Sequence, residues 1–308
     1  MRILLLGKNG QVGWELQRTL IPLGELIAID QPELDLSEFD RIRQVVREIQ
    51  PDLVVNAAAY TAVDKAESEP ALAMAVNGTA PRVLAEEAAH LGAGLIHFST
   101  DYVFDGVKRE PYTEEDVPNP ISVYGETKFA GDMAVQEVGG AYLILRTSWV
   151  YGARGKNFFR TILRLARERD ELKVVNDQVG CPTWSSAIAE AVARLLFTLK
   201  DMGSGDIIDM IKNYAGVYHW AASGECSWYE FAVEILASDP YQEEHRALEV
   251  LPIPSSEYPA QAVRPTYSVL SSDKIVSVFK VTTIPWKDQL IGCLGDYVHQ
   301  RSKEAEGN

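Results

Sequence analysis

Cysteine and histidine are scarce in this chain. Cys181, Cys226 and Cys293 and the five histidines stand far apart in 308 residues. No CxxC pair exists and no cysteine accompanies a histidine at metal-ligand spacing, which argues against a zinc site. An odd, sparse cysteine count fits a reducing compartment. Positive charge is also short, with 29 Lys and Arg against 44 Asp and Glu, a net charge of −15. That balance disfavours nucleic acid or an anionic membrane as partner, since both require basic patches. Long apolar runs are missing as well. The opening "MRILLLGKNG" is too short for a signal h-region or a membrane span, and nowhere do 18 apolar residues follow one another. The expectation is a soluble cytoplasmic protein that binds no membrane. An acidic protein can still hold a phosphorylated ligand through backbone N–H groups and one or two local cations.

What is present is a rhythm. Short apolar runs recur at Arg2–Leu6, Leu26–Ile29, Asp52–Ala57, Leu95–Ser99 and Tyr142–Thr147, with helical patterns between them near 11–21, 37–50, 70–91 and 124–138. The runs are continuous, not alternating, as expected of parallel strands buried on both faces. Ser37 reads as the N-cap of the second helix. The alternation predicts an α/β fold, a doubly wound parallel sheet of the Rossmann kind. After Ser148 the rhythm loosens. There is a helix near 156–170, a strand at Leu172–Asn176, a helix near 185–200, a loop through 202–216, a strand at Val217–Ala222 and a frayed tail from Ser302. The division expected is a dinucleotide-binding domain over 1–150, with later segments of roughly 172–222 interleaved, and a smaller mixed α/β substrate-binding domain from the rest of 151–308.

Within that frame, "LLLGKNGQVGWEL" reads strand, Gly7-x-x-Gly10-x-x-Gly13, helix. Such glycines permit a tight turn and close backbone approach, and the helix start offers N–H groups to a pyrophosphate. Gly7, Gly10, Gln11, Val12 and Gly13 are therefore candidate cofactor residues. Asp30 closes the second strand 17 residues after Gly13 and can accept from a ribose hydroxyl. It leans towards NADH, while Lys8 and Arg2 leave NADPH open. Asp35 and Leu36 fall where a loop edges the adenine ring. Tyr124 and Lys128, in "SVYGETKFAG", are four residues apart on one helix face. A phenol is a suitable acid for the alkoxide that hydride reduction leaves, but its usual pKa is high, and a neighbouring cation is expected to lower it. Thr100 ends the fourth strand at the carboxyl edge of the sheet, placed to hydrogen-bond a ketone beside Tyr124. His97 and His219 lie within apolar strands and read as core residues, not bases.

The GxxGxxG spacing resembles the extended short-chain dehydrogenase/reductase superfamily. "NAAAYTAVDKAESEP" (Asn56–Pro70), "STDYVFDG" (Ser99–Gly106), "VYGETKFAGD" (Val123–Asp132), "RTSWVYG" (Arg146–Gly152), "NDQVGCPT" (Asn176–Thr183) and "RP" (Arg264–Pro265) resemble, in order, the dTDP-4-dehydrorhamnose reductases, to about residue 299. The resemblance implies reduction of a dTDP-sugar by NADPH or NADH and the same three catalytic residues, Thr100, Tyr124 and Lys128. It adds Ala59, Tyr60 and Thr61 at the cofactor, with Lys128 bonding the nicotinamide ribose. Asp101 and Trp149 are implied to contact substrate; Trp149 either faces a sugar or thymine ring or forms a wall between the domains. Asn176, Gln178 and Thr183 would line the nucleotide pocket, and Arg264 would meet the diphosphate. Glu15 and Glu190, with Asp296 as a third, match acidic positions that hold Mg²⁺ at a homodimer interface in some relatives; the other reading is solvated helix faces. Two alternatives on this fold are a nucleotide-sugar 4-epimerase or 4,6-dehydratase and a non-catalytic NADP-binding regulatory subunit like that of methionine adenosyltransferase. The glutamate a dehydratase wants after Asp101 is Tyr102 here.

Overall fold

A computed structural model describes residues 1–202, 206–247 and 249–306, with side chains followed as far as residue 303. Six strands form the central sheet: β1 (Arg2–Leu6), β2 (Glu25–Ile29), β3 (Leu53–Asn56), β4 (Gly94–Thr100), β5 (Ala141–Thr147) and β6 (Gly216–His219). All their pairings are parallel, in the order β6-β5-β4-β3-β1-β2. The chain runs outward from β1 to β2 and then returns to the other side of β1 for β3. That reversal opens a crevice beyond the carboxyl ends of β1 and β3, where doubly wound sheets bind ligands.

The long helices are α1 (Gln11–Leu20), α2 (Phe39–Ile49), α3 (Ala80–Leu91), α4 (Val123–Val138), α5 (Phe158–Glu168), α6 (Ser185–Met202), α7 (Trp228–Ser238) and α8 (Trp286–Glu306); α1, α2, α3, α4 and α6 cover the sheet. The unbroken apolar runs of the strands follow from their two-sided burial. Ile3 and Leu5 of β1 pack with Leu16 and Leu20 of α1 and with Ile188, Val192 and Leu196 of α6. Leu4 and Leu6 pack on the opposite face, with Ile42 and Val46 of α2 and Val83 and Leu84 of α3. Each such side chain contributes about 1.5–3 kcal/mol by leaving water.

A third apolar cluster lies apart from the sheet. It joins Phe159, Ile162 and Leu163 of α5 to Phe231 and Ile235 of α7 and to Leu290 and Cys293 of α8. A two-stranded parallel pair, Glu171–Val175 with Glu249–Ile253, borders it. Of the stretch 172–222, α6 and β6 lie on the central sheet, whereas Glu171–Val175 pairs away from it.

Several local expectations change. The helix expected over 70–91 is broken into Pro70–Met74, a π turn at Ala75–Thr79, and α3. Ser37 caps nothing; its hydroxyl and its N–H both donate to Asp35 Oδ1, and α2 starts after Glu38 with no side-chain cap. The loop expected over 202–216 carries a short helix, Ile207–Asn213, and its residues 203–205 lie outside the described ones. The tail expected to fray is helical to Glu306. Among the described residues no helix is long and apolar enough to cross a membrane.

Candidate active site

The glycine loop leaves β1 at Gly7, whose φ of +84° suits glycine. A Cβ there would lie 2.7 Å from Ala58 N. Gly13, in the first turn of α1, lets the helix start sit against the loop, and a Cβ on it would fall 1.9 Å from Gly7 O. Gly10 is the N-cap and no side chain caps the helix, so its first N–H groups are left for a ligand. Asp30, at the end of β2, accepts from Asn9 N at 2.9 Å and from Gln31 N at 2.8 Å. A cavity of about 340 Å³ brings together Gly7, Asp30, Asp35, Leu36, Ala59 and Tyr60. An uncapped helix start, a glycine cradle and an acidic strand end beside a cavity fit a dinucleotide.

The remaining residues of that set lie elsewhere. Thr61 is exposed and does not line the cavity. Val12 packs into the core. Gln11 accepts from Asn157 Nδ2 at 2.8 Å and so ties the loop to the start of α5. Lys8 is bound to Glu33 at 2.6 Å. Arg2 sits at the opposite edge of the sheet, donating to Ile49 O at the end of α2.

Across the crevice, Thr100 is the last residue of β4. Its Oγ1 accepts from Tyr102 N at 3.2 Å and donates to Asp101 Oδ1 at 3.0 Å. Tyr124 hydrogen-bonds to the same hydroxyl, and burial pushes its phenol up to about 12. α4 presents the tyrosine. Ser122 caps that helix, its Oγ accepting from Gly125 N at 3.2 Å. Gly125 carries no Cβ where one would lie 2.2 Å from Tyr102 O, so the helix start reaches the β4 turn. One turn on, Lys128 is buried and gives its Nζ to Phe98 O at 2.6 Å. Burial pushes its ammonium down to about 8, with Asp132 acting in the opposite direction. The expectation that Lys128 lowers the Tyr124 pKa is thus corrected: desolvation dominates, and the phenol keeps its proton at neutral pH.

Asp101 is almost fully buried and accepts from Ser148 Oγ at 3.0 Å as well as from Thr100. Burial pushes its carboxyl from 3.8 to about 6, against hydrogen bonds from Ser268, Thr100 and Ser148. Between those two values the folded protein holds a proton that the unfolded chain has released, so stability falls as pH rises through the window. Asp101→Asn should flatten that slope. Thermal unfolding between about pH 4 and pH 7 checks it: the variant's midpoint should lose less over that range than the parent's.

One residue the sequence did not mark is Asn77, inside the π turn and fully buried. Its Oδ1 accepts from Tyr60 N at 2.8 Å, and its Nδ2 donates to Tyr60 O at 3.0 Å and Thr127 Oγ1 at 3.3 Å. Thr127 in turn donates to Tyr124 O at 3.0 Å. The cavity wall and the helix that carries Tyr124 are therefore joined by one amide. An asparagine in an alanine-rich helix pattern was the only local sign, and π turns often mark functional sites.

The comparisons with known proteins agree with this geometry. The family model for the RmlD substrate binding domain matches residues 1–299. The dTDP-4-dehydrorhamnose reductase of Burkholderia thailandensis is 44% identical over 304 residues, covering 97% of this chain and 100% of its own. That of Escherichia coli K12 is 44% identical over 93% of this chain and 95% of its own. The chain belongs to the dTDP-4-dehydrorhamnose reductase family. Among solved structures, a dTDP-4-dehydrorhamnose reductase from Bacillus anthracis in complex with NADP has a TM-score of 0.83 at 35% identity, over 96% of this chain and 99% of that one. A UDP-glucose 4-epimerase from Thermotoga maritima, 20% identical with a TM-score of 0.79, shares the fold.

Several residues expected on the substrate side of this member of the dTDP-4-dehydrorhamnose reductases already have partners within the chain. Trp149 has a φ of +45° and stacks on Trp228, ring centres 3.4 Å apart and 2° from parallel. On the Gly180 side, a Cβ would fall 2.4 Å from Trp149 Cε2. One ring face is thus taken by an indole and the ring also packs on backbone, while Trp149 stays partly exposed. Trp228 was missed, because nothing local ties positions 79 residues apart. Arg264 is likewise engaged: it forks onto Asp64 at 2.7 and 3.2 Å and bonds Tyr102. Thr183 is fully buried, donating to Cys181 O and accepting from Ala222 N. Gln178 is nearly buried and Asn176 exposed.

The Mg²⁺ expectation is not supported. Arg18 stands among the three carboxylates, 3.4 Å from Glu190 and 4.0 Å from Glu15; burial pushes the Glu15 and Asp296 carboxyls up, and Arg18 offsets part of that rise. Among the described residues no group of three acidic, histidine or cysteine side chains is placed to hold a metal. His97 and His219 are buried, and burial holds both imidazoles neutral, as expected of core residues; each bonds through Nδ1 while Nε2 has no partner among the described residues.

Proposed function

We propose that this chain reduces the C4 ketone of dTDP-4-dehydro-β-L-rhamnose to dTDP-β-L-rhamnose with NADH or NADPH, the last step of dTDP-L-rhamnose synthesis. The observation that carries this reading is the chain Tyr124–Thr100–Asp101 at the carboxyl edge of a sheet whose first turn is a dinucleotide cradle. The dinucleotide, when bound, supplies the hydride. Its pyrophosphate would lie on the backbone of Gly10, Gln11, Val12 and Gly13, and its adenosine in the cavity beside Asp30, Asp35, Leu36, Ala59 and Tyr60.

The chain's own residues do the rest. Thr100, its hydroxyl proton turning from Asp101 Oδ1 to the substrate, holds the ketone oxygen against Tyr124. Tyr124 is protonated when reduction begins and gives its proton to the oxygen as negative charge grows there. Lys128, still largely cationic at neutral pH, offsets the phenolate that is left and would bond the ribose of the bound dinucleotide. A dehydratase would need a second carboxylate next to Asp101. Tyr102 fills that place, its ring 5.7 Å from Tyr124 in an edge-to-face contact, and this favours simple reduction. We divide the chain into a cofactor-binding half, residues 1–150 with the later segments that return to the sheet, and a substrate-binding half from the remainder. The cytoplasm is the compartment proposed, in keeping with the biosynthetic roles that the relatives' names carry, and a homodimer is proposed from the resemblance.

The purified full chain, given the keto-sugar nucleotide and either cofactor, should oxidise NADH or NADPH in proportion to sugar consumed. Tightly retained NAD⁺ with no net oxidation would instead point to an epimerase. Absence of turnover together with co-purification of a synthetase would point to a regulatory subunit.

A further inference from the structure

Tyr124, Lys128 and Asp132 occupy positions i, i+4 and i+8 of α4, a single stripe of the helix. The first two are assigned above; the third belongs to no site described so far. Asp132 is fully buried and Arg146 of β5 nearly so, and the Arg146 Nε donates to Asp132 Oδ2 at 3.0 Å. Among the described residues Asp132 Oδ1 has no hydrogen-bond partner. The pair is an expensive way to hold a helix to a strand. Two charges leave water, one carboxylate oxygen goes unsatisfied, and an apolar pair of similar volume would do as well or better. A reason to keep the anion is its effect on its neighbour along the stripe.

We propose that Asp132, fixed by Arg146, is a positioning residue that keeps Lys128 cationic inside the buried site. The inference rests on the role given to Lys128 under the proposed function. Lys128 has little else to hold its proton. Among the described residues its one direct bond is to the Phe98 carbonyl, and burial works against the charge. The charged and titratable groups around it are Tyr124 and Asp132 on its own helix, His97 on β4, Asp101 beyond Tyr124, and Arg146 on β5. His97 is neutral, Tyr124 is protonated at working pH, and Arg146 is spent on Asp132. Asp132 is the group that raises the Lys128 pKa while burial lowers it. Removing that anion leaves burial unopposed, so the ammonium would lose its proton at lower pH.

The test is the titration of the Lys128 side chain in the full chain without substrate, followed by the ¹³Cε signal that disappears in Lys128→Met. In Asp132→Asn the midpoint should fall by about one pH unit or more, and Asp132→Glu should restore most of it. The variant Asp132→Asn with Arg146→Gln leaves no buried unpaired arginine, and it should show a smaller fall in the same direction. In the turnover assay, the alkaline limb of kcat should move to lower pH by the same amount in Asp132→Asn while KM for the sugar changes little. An unchanged Lys128 midpoint in both the single and the double variant overturns the proposal, whatever happens to thermal stability. A shifted midpoint with an unmoved kcat limb upholds the electrostatic link and instead refutes the role given to Lys128.

Discussion

Tyr124→Phe should lower kcat by about 10²–10⁴-fold and leave KM for both cofactor and sugar within a few-fold of the parent. The phenol bonds a single hydroxyl, that of Thr100, and lies on a helix start already fixed by Ser122 and Gly125. Its removal therefore costs little structure, and a thermal midpoint close to the parent's is part of the prediction. A loss in kcat without a loss in binding is the mark of an interaction made only in the transition state. The pKa pattern gives the reason for the size. Burial keeps Tyr124 protonated, so the acid is ready at neutral pH, but it makes the phenolate left behind expensive. Lys128 offsets that cost, so Lys128→Met should lose kcat as well, together with some cofactor affinity. Thr100→Val keeps the acid but loses the group that aims it, together with the bonds to Asp101 and Tyr102 N, and a smaller loss in kcat is expected, with some loss of thermal stability. If Thr100→Val proved far worse than Tyr124→Phe, the proton would have to come by another route. Steady-state kinetics of the three variants with either cofactor decides this.

The placement behind these proposed roles was legible in the sequence to the extent that it depends on neighbours in the chain. Tyr124 and Lys128 share a helix face because helical residues four apart always do. Thr100 reaches the crevice because it ends a buried parallel strand. Gly7, Gly10 and Gly13 declare their purpose through the strand before and the helix after them. What stayed hidden was set by contacts between distant segments. Asn77 matters because a π turn aims it at Tyr60 and Thr127, 17 and 50 residues away. Trp149 looked like an open aromatic face until Trp228 covered it. Arg264 looked like a free cation, but Asp64, 200 residues earlier, holds it in a fork. Glu15, Glu190 and Asp296 suggested a metal, and Arg18 supplies the positive charge there instead. For Trp149, Arg264 and the three carboxylates the residue type suggested a ligand, and only the fold shows the partner each already has within the chain. The direction of the Tyr124 shift was missed for a related reason: spacing shows that a cation is near, but burial outweighs it.

Gly13→Ala should weaken binding of NADH and NADPH by at least about 10²-fold, roughly 3 kcal/mol, whereas Gly10→Ala should cost only a few-fold. The two glycines belong to one loop but face different surroundings. A Cβ on Gly13 would fall 1.9 Å from Gly7 O and 2.7 Å from Gly7 C. Both atoms are backbone, so no side chain can swing aside. Either α1 must lift off β1 or the loop must move. The helix is held by Leu16 and Leu20 in the core and by Arg18 reaching Ser186 of α6 at 3.2 Å, so the loop yields. Its geometry depends on Gly7 N donating to Ile29 O and Gly10 N donating to Gly7 O, both at 3.0 Å. Displacing Gly7 disturbs both bonds and turns the α1 N–H groups away from the place a pyrophosphate would take. Each N–H bond to a charged phosphate oxygen contributes about 1.5–3 kcal/mol, so loss of one or two accounts for the expected weakening. At Gly10 the same methyl would meet Gly7 O at 3.3 Å with φ at −69°, a conformation any residue adopts. Calorimetric titration of each variant with both cofactors, in the absence of sugar, measures the contrast. Equal losses at the two positions would remove the steric account, since only Gly13 forces backbone against backbone.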